Sequence, residues 1–161
     1  MSSAQNSGIF FCICLFVLLA MPAHADQDED DVLAVADQAL ERITAEDFVG
    51  LTDLMIDTAV AYTGTKRDGE YQVRTRSYTE QREADINGDY VERGYDPTVM
   101  VAGPIAMVWY PYDFYLDGEW SHCGIDIFNL VRTNDGWRIA TMLWNAEQPP
   151  ACEPHPDGPP D

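Results

Sequence analysis

Four runs rich in β-branched and aromatic residues, separated by glycine turns, fill the chain from Thr98 to Trp144. Thr98–Ala102 reads as a short strand broken by Gly103-Pro104. Ile105–Leu116 reads as a long strand closed by Asp117-Gly118. Glu119–Arg132 is a second long strand closed by the turn Thr133–Gly136, and Trp137–Trp144 is the last. This pattern predicts an antiparallel meander. Its strands do not alternate cleanly: Ile125, Ile127 and Val131 share one face while Phe128 and Leu130 share the other. Met107 and Trp109 likewise oppose Ala106, Val108 and Tyr110. A sheet with one buried face is more polar on its second face, so this one needs cover on both. Self-association through the outer face is one candidate, and a C-terminal tail folded over it is the other.

Ahead of the meander the periodicity is helical. Val32, Ala36, Ala39, Leu40 and Ile43 recur at three- and four-residue steps behind an acidic start that suits the helix dipole. Thr44–Asp47 resembles a capping box opening a second short helix, with Phe48, Leu51, Leu54 and Met55 on its buried side. Thr58–Thr63 and Tyr71–Arg76 read as strands around a turn at Lys66–Gly69. Ser77–Glu80 is a second capping box, opening a helix expected to stop at Asn87-Gly88, with a polar connection on to Asp96-Pro97. Helices first and a meander after them define an α+β domain with helices packed on one sheet face.

The first 25 residues read as an address. Ile9–Met21 is an apolar run too short to span a bilayer, and Ala23 and Ala25 supply an A-x-A cleavage signal before Asp26. The expected organisation is a signal peptide over residues 1–25, a domain over 26–148 and a proline-rich tail over 149–161. The mature chain is then exported, to the periplasm or the medium, without membrane attachment. Two of the four cysteines leave with the signal, so Cys123 and Cys152 remain in an oxidising compartment. A bridge between them would close a loop of about 28 residues, worth roughly 3–4 kcal/mol. The alternative, a zinc set from His122, Cys123, Cys152 and His155, suffers because neighbours in a strand point to opposite faces.

The chain carries 28 acidic and 9 basic residues, a net charge of −19. That sign opposes nucleic acid or an anionic membrane surface as partner. No nucleophile elbow, phosphate-binding glycine loop or H-E-x-x-H motif is present, so hydrolysis, phosphoryl transfer and zinc-protease chemistry have no support, and no cofactor is expected.

Three segments, GPIAMVWYPYDFYLDG (Gly103–Gly118), HCGIDIFNLVR (His122–Arg132) and DGWRIATMLW (Asp135–Trp144), resemble the nuclear transport factor 2-like superfamily. The resemblance is to its SnoaL-like, lumazine-binding bacterial branch, and it runs over about residues 30 to 146. It implies a cone-shaped, curved antiparallel sheet with the N-terminal helices on its concave face (a cystatin-like fold) and a pocket between them. The homodimer through the outer sheet face is expected separately, from the apolar residues on both strand faces. The superfamily hosts enzymes, binding modules and assembly domains.

In the catalytic members an acid/base carboxylate or histidine lies in that pocket. Here His122, Gly124 and Asp126 share a strand face. His122 and Asp126 lie roughly 13 Å apart along it, too far for a direct dyad. Gly124 between them is expected to leave room for a ligand. Asp126, desolvated beside Phe128, is the candidate base; the alternative is a structural carboxylate bound to an arginine, with His122 at the rim. Tyr62, Tyr78, Arg82, Trp109, Tyr112 and Trp144 are candidates for the pocket wall. Three functions follow: an exported domain binding a small apolar or anionic molecule without catalysis, a cofactor-free isomerase, dehydratase or cyclase, or an interaction module whose cone is filled by its own side chains.

Overall fold

The computed structural model describes residues 23–85 and 88–160. The expected signal segment lies outside the described residues except for residues 23–25, which begin the first helix. That helix, α1 (Ala23–Thr44), presents Val32, Ala36, Ala39 and Leu40 as its buried stripe. Its alanines let the helix backbone approach the sheet closely. Thr44 does not cap the next helix. It ends α1 and exchanges hydrogen bonds through its hydroxyl with the backbone of Glu92. Asp47 caps α2 (Phe48–Asp53), accepting from the Gly50 N–H at 2.8 Å.

β1 (Met55–Arg67) and β2 (Glu70–Ser77) form the first hairpin. The second capping box forms as the sequence predicts: Ser77 and Glu80 exchange side-chain and backbone hydrogen bonds at the start of α3. α3 covers only Tyr78–Arg82 and is capped by Glu83, shorter than the expected helix. Beyond it the polar connection contains an extra strand, β3 (Tyr90–Gly94). The remaining strands are β4 (Thr98–Ala102), β5 (Ile105–Leu116), β6 (Glu119–Thr133) and β7 (Gly136–Asn145), within a residue of expectation.

The seven strands build one sheet in the order β2-β1-β7-β6-β5-β3, with β4 also on β5. β3 and β4 lie end to end along the same edge of β5, against Tyr112–Leu116 and Ile105–Trp109. Asp96-Pro97 separates them, because proline supplies no N–H for the ladder. The sheet is mixed: β1 joins β7 in parallel while every other pairing is antiparallel. Register shifts between Phe114 and Tyr115 and between Asn129 and Leu130 mark bulges, which bend the long strands. Val108, Tyr110, Phe128, Leu130, Ile139 and Met142 face inward and bury against the helices.

The outer face divides in two. At one end the tail covers it, tied by the Cys123–Cys152 disulfide and by paired backbone bonds between Cys123 and Glu147. Asp113, fully buried, receives Nε and Nη2 of Arg93 at 3.0 and 2.6 Å and the His155 N–H at 3.0 Å. Arg93 also donates to the Gly158 carbonyl, and Tyr95 Oη to the Glu153 carbonyl. With both sulfurs bonded to each other, the four-ligand zinc set does not form, and among the described residues no other cluster of His, Cys, Asp and Glu gathers as a metal site. At the other end Met100, Ile105, Trp109 and Leu143 stay exposed.

Candidate functional site

The inner face and the helices enclose a cavity of about 170 Å³. Two-residue alternation delivers its walls: Tyr90 and Glu92 from β3, Tyr112 and Phe114 from β5, His122 and Asp126 from β6, Met142 and Trp144 from β7. Ile43, Phe48 and Gln81 close it from α1, α2 and α3, and Arg76 of β2 stands at its exposed edge. Cross-strand register places Glu92, Phe114 and His122 in one row, and Asp126 level with Trp144.

Asp126 is buried, and its carboxyl stands within interaction range of that of Glu92. Two carboxylates in an apolar enclosure repel each other and lack solvation, so the pair retains a proton. Desolvation pushes Glu92 up to about 7, and desolvation together with Glu92 holds Asp126 well above the ordinary range. The buried Asp126 Oδ2 atom has no hydrogen-bond partner, and neither has the buried Gln81 Oε1. His122 stacks on Phe114 at 4.9 Å and meets the Tyr112 ring edge-on at 5.7 Å. Burial lowers its pKa, which favours the neutral imidazole; Nδ1 lies 3.0 Å from the Ser121 hydroxyl. Burial, then the two carboxylates, raise the Tyr112 phenol, whose proton is committed to the Asn145 carbonyl at 2.7 Å.

Asp126, His122, Tyr112 and Trp144 therefore meet in one cavity. The other wall candidates do not. Tyr62 lies opposite Leu143 on the outward-facing rows of β1 and β7, and Trp109 is exposed on the outer face. Tyr78 packs against the core outside the cavity. Arg82 turns outward to Asp53 at 2.7 Å and Thr52 at 2.8 Å. Gly124 leaves no ligand space either: a methyl there would stand 2.2 Å from the Asn145 carbonyl, so the glycine admits the end of β7. Glu92, Gln81 and Arg76 escaped the sequence reading. The two-residue step from Tyr90 to Glu92 is the signal for β3, hidden in a short polar edge segment.

The class defined by this arrangement is the cystatin-like fold of nuclear transport factor 2-like proteins. A nuclear transport factor 2-like protein with a cystatin-like fold from Novosphingobium aromaticivorans superposes with a TM-score of 0.63 at 12% identity, over 79% of this chain and 86% of that one. The β subunit of a provisionally named aromatic-ring-hydroxylating dioxygenase from the same organism gives 0.64 at 11% identity, over 77% and 92%. A provisionally named dehydratase of the same family from Streptomyces avermitilis gives 0.58 at 18% identity, over 77% and 99%. No protein-family model and no curated protein matches the chain by sequence.

Proposed function

We propose that the cavity binds one small molecule of single-ring size and holds its polar end against the Asp126–Glu92 pair. The observation that carries this is an unfilled, mainly apolar cavity lined by the Asp126 carboxyl, whose buried Oδ2 atom has no hydrogen-bond partner in the protein. Unsatisfied buried polar groups are costly, and a ligand hydrogen bond removes that cost. The volume of about 170 Å³ is close to cavities that accept benzene and well below drug-sized sites. Titrating phenol into the protein is expected to shift the backbone NMR signals of Glu92, His122 and Asp126 saturably, and Asp126→Leu is expected to weaken binding at least tenfold. Unmoved signals at millimolar phenol, or equal binding by the variant, would refute the reading.

A second reading, proton-transfer catalysis, is favoured by the Glu92 carboxyl titrating near neutral pH. The ionised member of the pair would take a proton from carbon next to a carbonyl. The electron pair would move onto the carbonyl oxygen, and the protonated member would hydrogen-bond it. The proton would then return at another carbon. Loss of turnover in Asp126→Asn with ligand binding retained separates catalyst from binder.

The protein is further proposed to be exported after cleavage before Asp26 and to pair with a second copy through the open part of the outer face, where Ile105, Trp109 and Leu143 are exposed. Exported protein is expected to begin at Asp26 and to scatter light as twice the mature mass. A different N terminus rejects the export reading, and a monomer mass across micromolar concentrations rejects the dimer.

A further inference from the structure

In a chain of net charge −19, four of the nine basic residues lie on one hairpin: Lys66, Arg67, Arg74 and Arg76. Three of them share a face. In the β1–β2 ladder Thr63 pairs with Arg74 and Ala61 with Arg76, and Arg67 follows two positions beyond Thr65 on the same row. Ala61 belongs to the buried core, so this face continues the one that carries the cavity. Together Arg67, Arg74 and Arg76 line a second hollow of about 170 Å³, floored by Thr63 and Thr65. Arg76 and Trp144 line both hollows, so the groove begins where the cavity ends.

Among the described residues none of these three arginines forms an ion pair, whereas Arg42, Arg82, Arg93 and Arg132 each do. Two acids stand near them on the hairpin and α3, and Arg76 also shares the cavity wall with Glu92 and Asp126. Glu70 pairs in register with Arg67 at the hairpin end without a salt bridge, and Glu80 is held by Ser77. Unpaired guanidinium groups gathered in a concave site present planar forks of donors that match paired oxygens of carboxylates and phosphates.

We propose that this groove is an anion subsite: the molecule held in the cavity extends past Trp144 and ends in a carboxylate or phosphate ester bound by Arg67, Arg74 and Arg76. The proposal rests on the cavity reading for the ligand's apolar head, but the groove's own contribution is separable by experiment. Four probes divide the two, followed by NMR titration of the full chain: phenol, 3-phenylpropanamide, 3-phenylpropanoate and 2-phenylethyl phosphate. One or both charged probes are expected to bind at least tenfold more tightly than the amide, and the tighter of the two identifies the anion. Arg67→Gln/Arg74→Gln is expected to abolish that advantage and leave phenol binding as in the parent protein. Salt at about 0.5 M is expected to erase most of the same advantage in the parent chain, by screening.

If phenol binds and the charged probes match the amide, the anion subsite is overturned and the cavity reading survives. If phenol does not bind while a charged probe still shifts Arg67 and Arg74 signals, the groove stands and the cavity reading fails. A tenfold advantage that persists in the double variant also overturns the groove assignment. Absence of binding by all four overturns both.

Discussion

Arg93→Met is expected to destabilise the folded protein by about 3–5 kcal/mol, the usual cost of stripping one partner from a buried ion pair. Asp113 has no exposed side-chain surface, while Arg93 retains about a fifth of its own. Without the guanidinium the carboxylate keeps a single donor, the His155 N–H at 3.0 Å, in a site closed by the tail. Its own hydrogen bonds to Asp113 raise the Arg93 pKa, so its charge is retained at any accessible pH. The Gly158 carbonyl also loses its donor, which loosens the tail around residues 153–158. Urea unfolding measures the effect. Arg93→Met/Asp113→Leu, which removes both charges, is expected to recover more than half of the loss. A single variant within 1 kcal/mol of the parent would refute the pairing as a source of stability.

The second large effect is a loss of stability as pH rises from about 4.5 to 7. Glu92 has an ordinary pKa of 4.5 and is pushed up to about 7 in the folded chain by desolvation. Across that window the folded state holds a proton that the unfolded chain has released, so unfolding free energy falls with increasing pH. The contribution is fully present below pH 4.5 and gone once the pH passes the folded value. The displacement corresponds to roughly 3 kcal/mol. Asp126 shifts in the same direction and adds to it. General repulsion within an acidic chain has the same sign, so the difference from Glu92→Gln is what isolates the pair. The glutamine amide donates to Asp126 where the shared proton stood, and the variant is expected to show a much flatter stability profile between pH 4.5 and 7. Identical slopes for parent and variant would falsify the shared proton.

How far the sequence reached can be judged from particular residues. Asp126 is recognisable because an acid sits in the apolar run Ile125–Val131. Asp113 sits in an equally apolar run, between Tyr112 and Phe114, yet its environment is different. It faces the opposite side of the sheet and meets Arg93, twenty residues away in the chain. Both acids look alike locally, and only the register of β3 on β5 tells them apart. That register also carries Glu92 into the cavity. Arg82 shows the converse. Its helical spacing from Tyr78 is as expected, but α3 turns it toward Asp53 and away from the ligand space.

The sequence by itself determined the strands of the meander, the helical stripe of α1 and the Ser77 capping box. Each depends on residues close in the chain, whereas the Cys123–Cys152 pair, one of two readings of those cysteines, was decided by the structure. Which acids share a proton, which arginines are paired and which face is open were decided only by the tertiary structure. These depend on sheet order, on bulges that bend β5 and β6, and on the parallel β1–β7 contact that sets the arginine hairpin beside the cavity. Charge and desolvation act across space, and a one-residue change of register would send every one of those side chains to the other face.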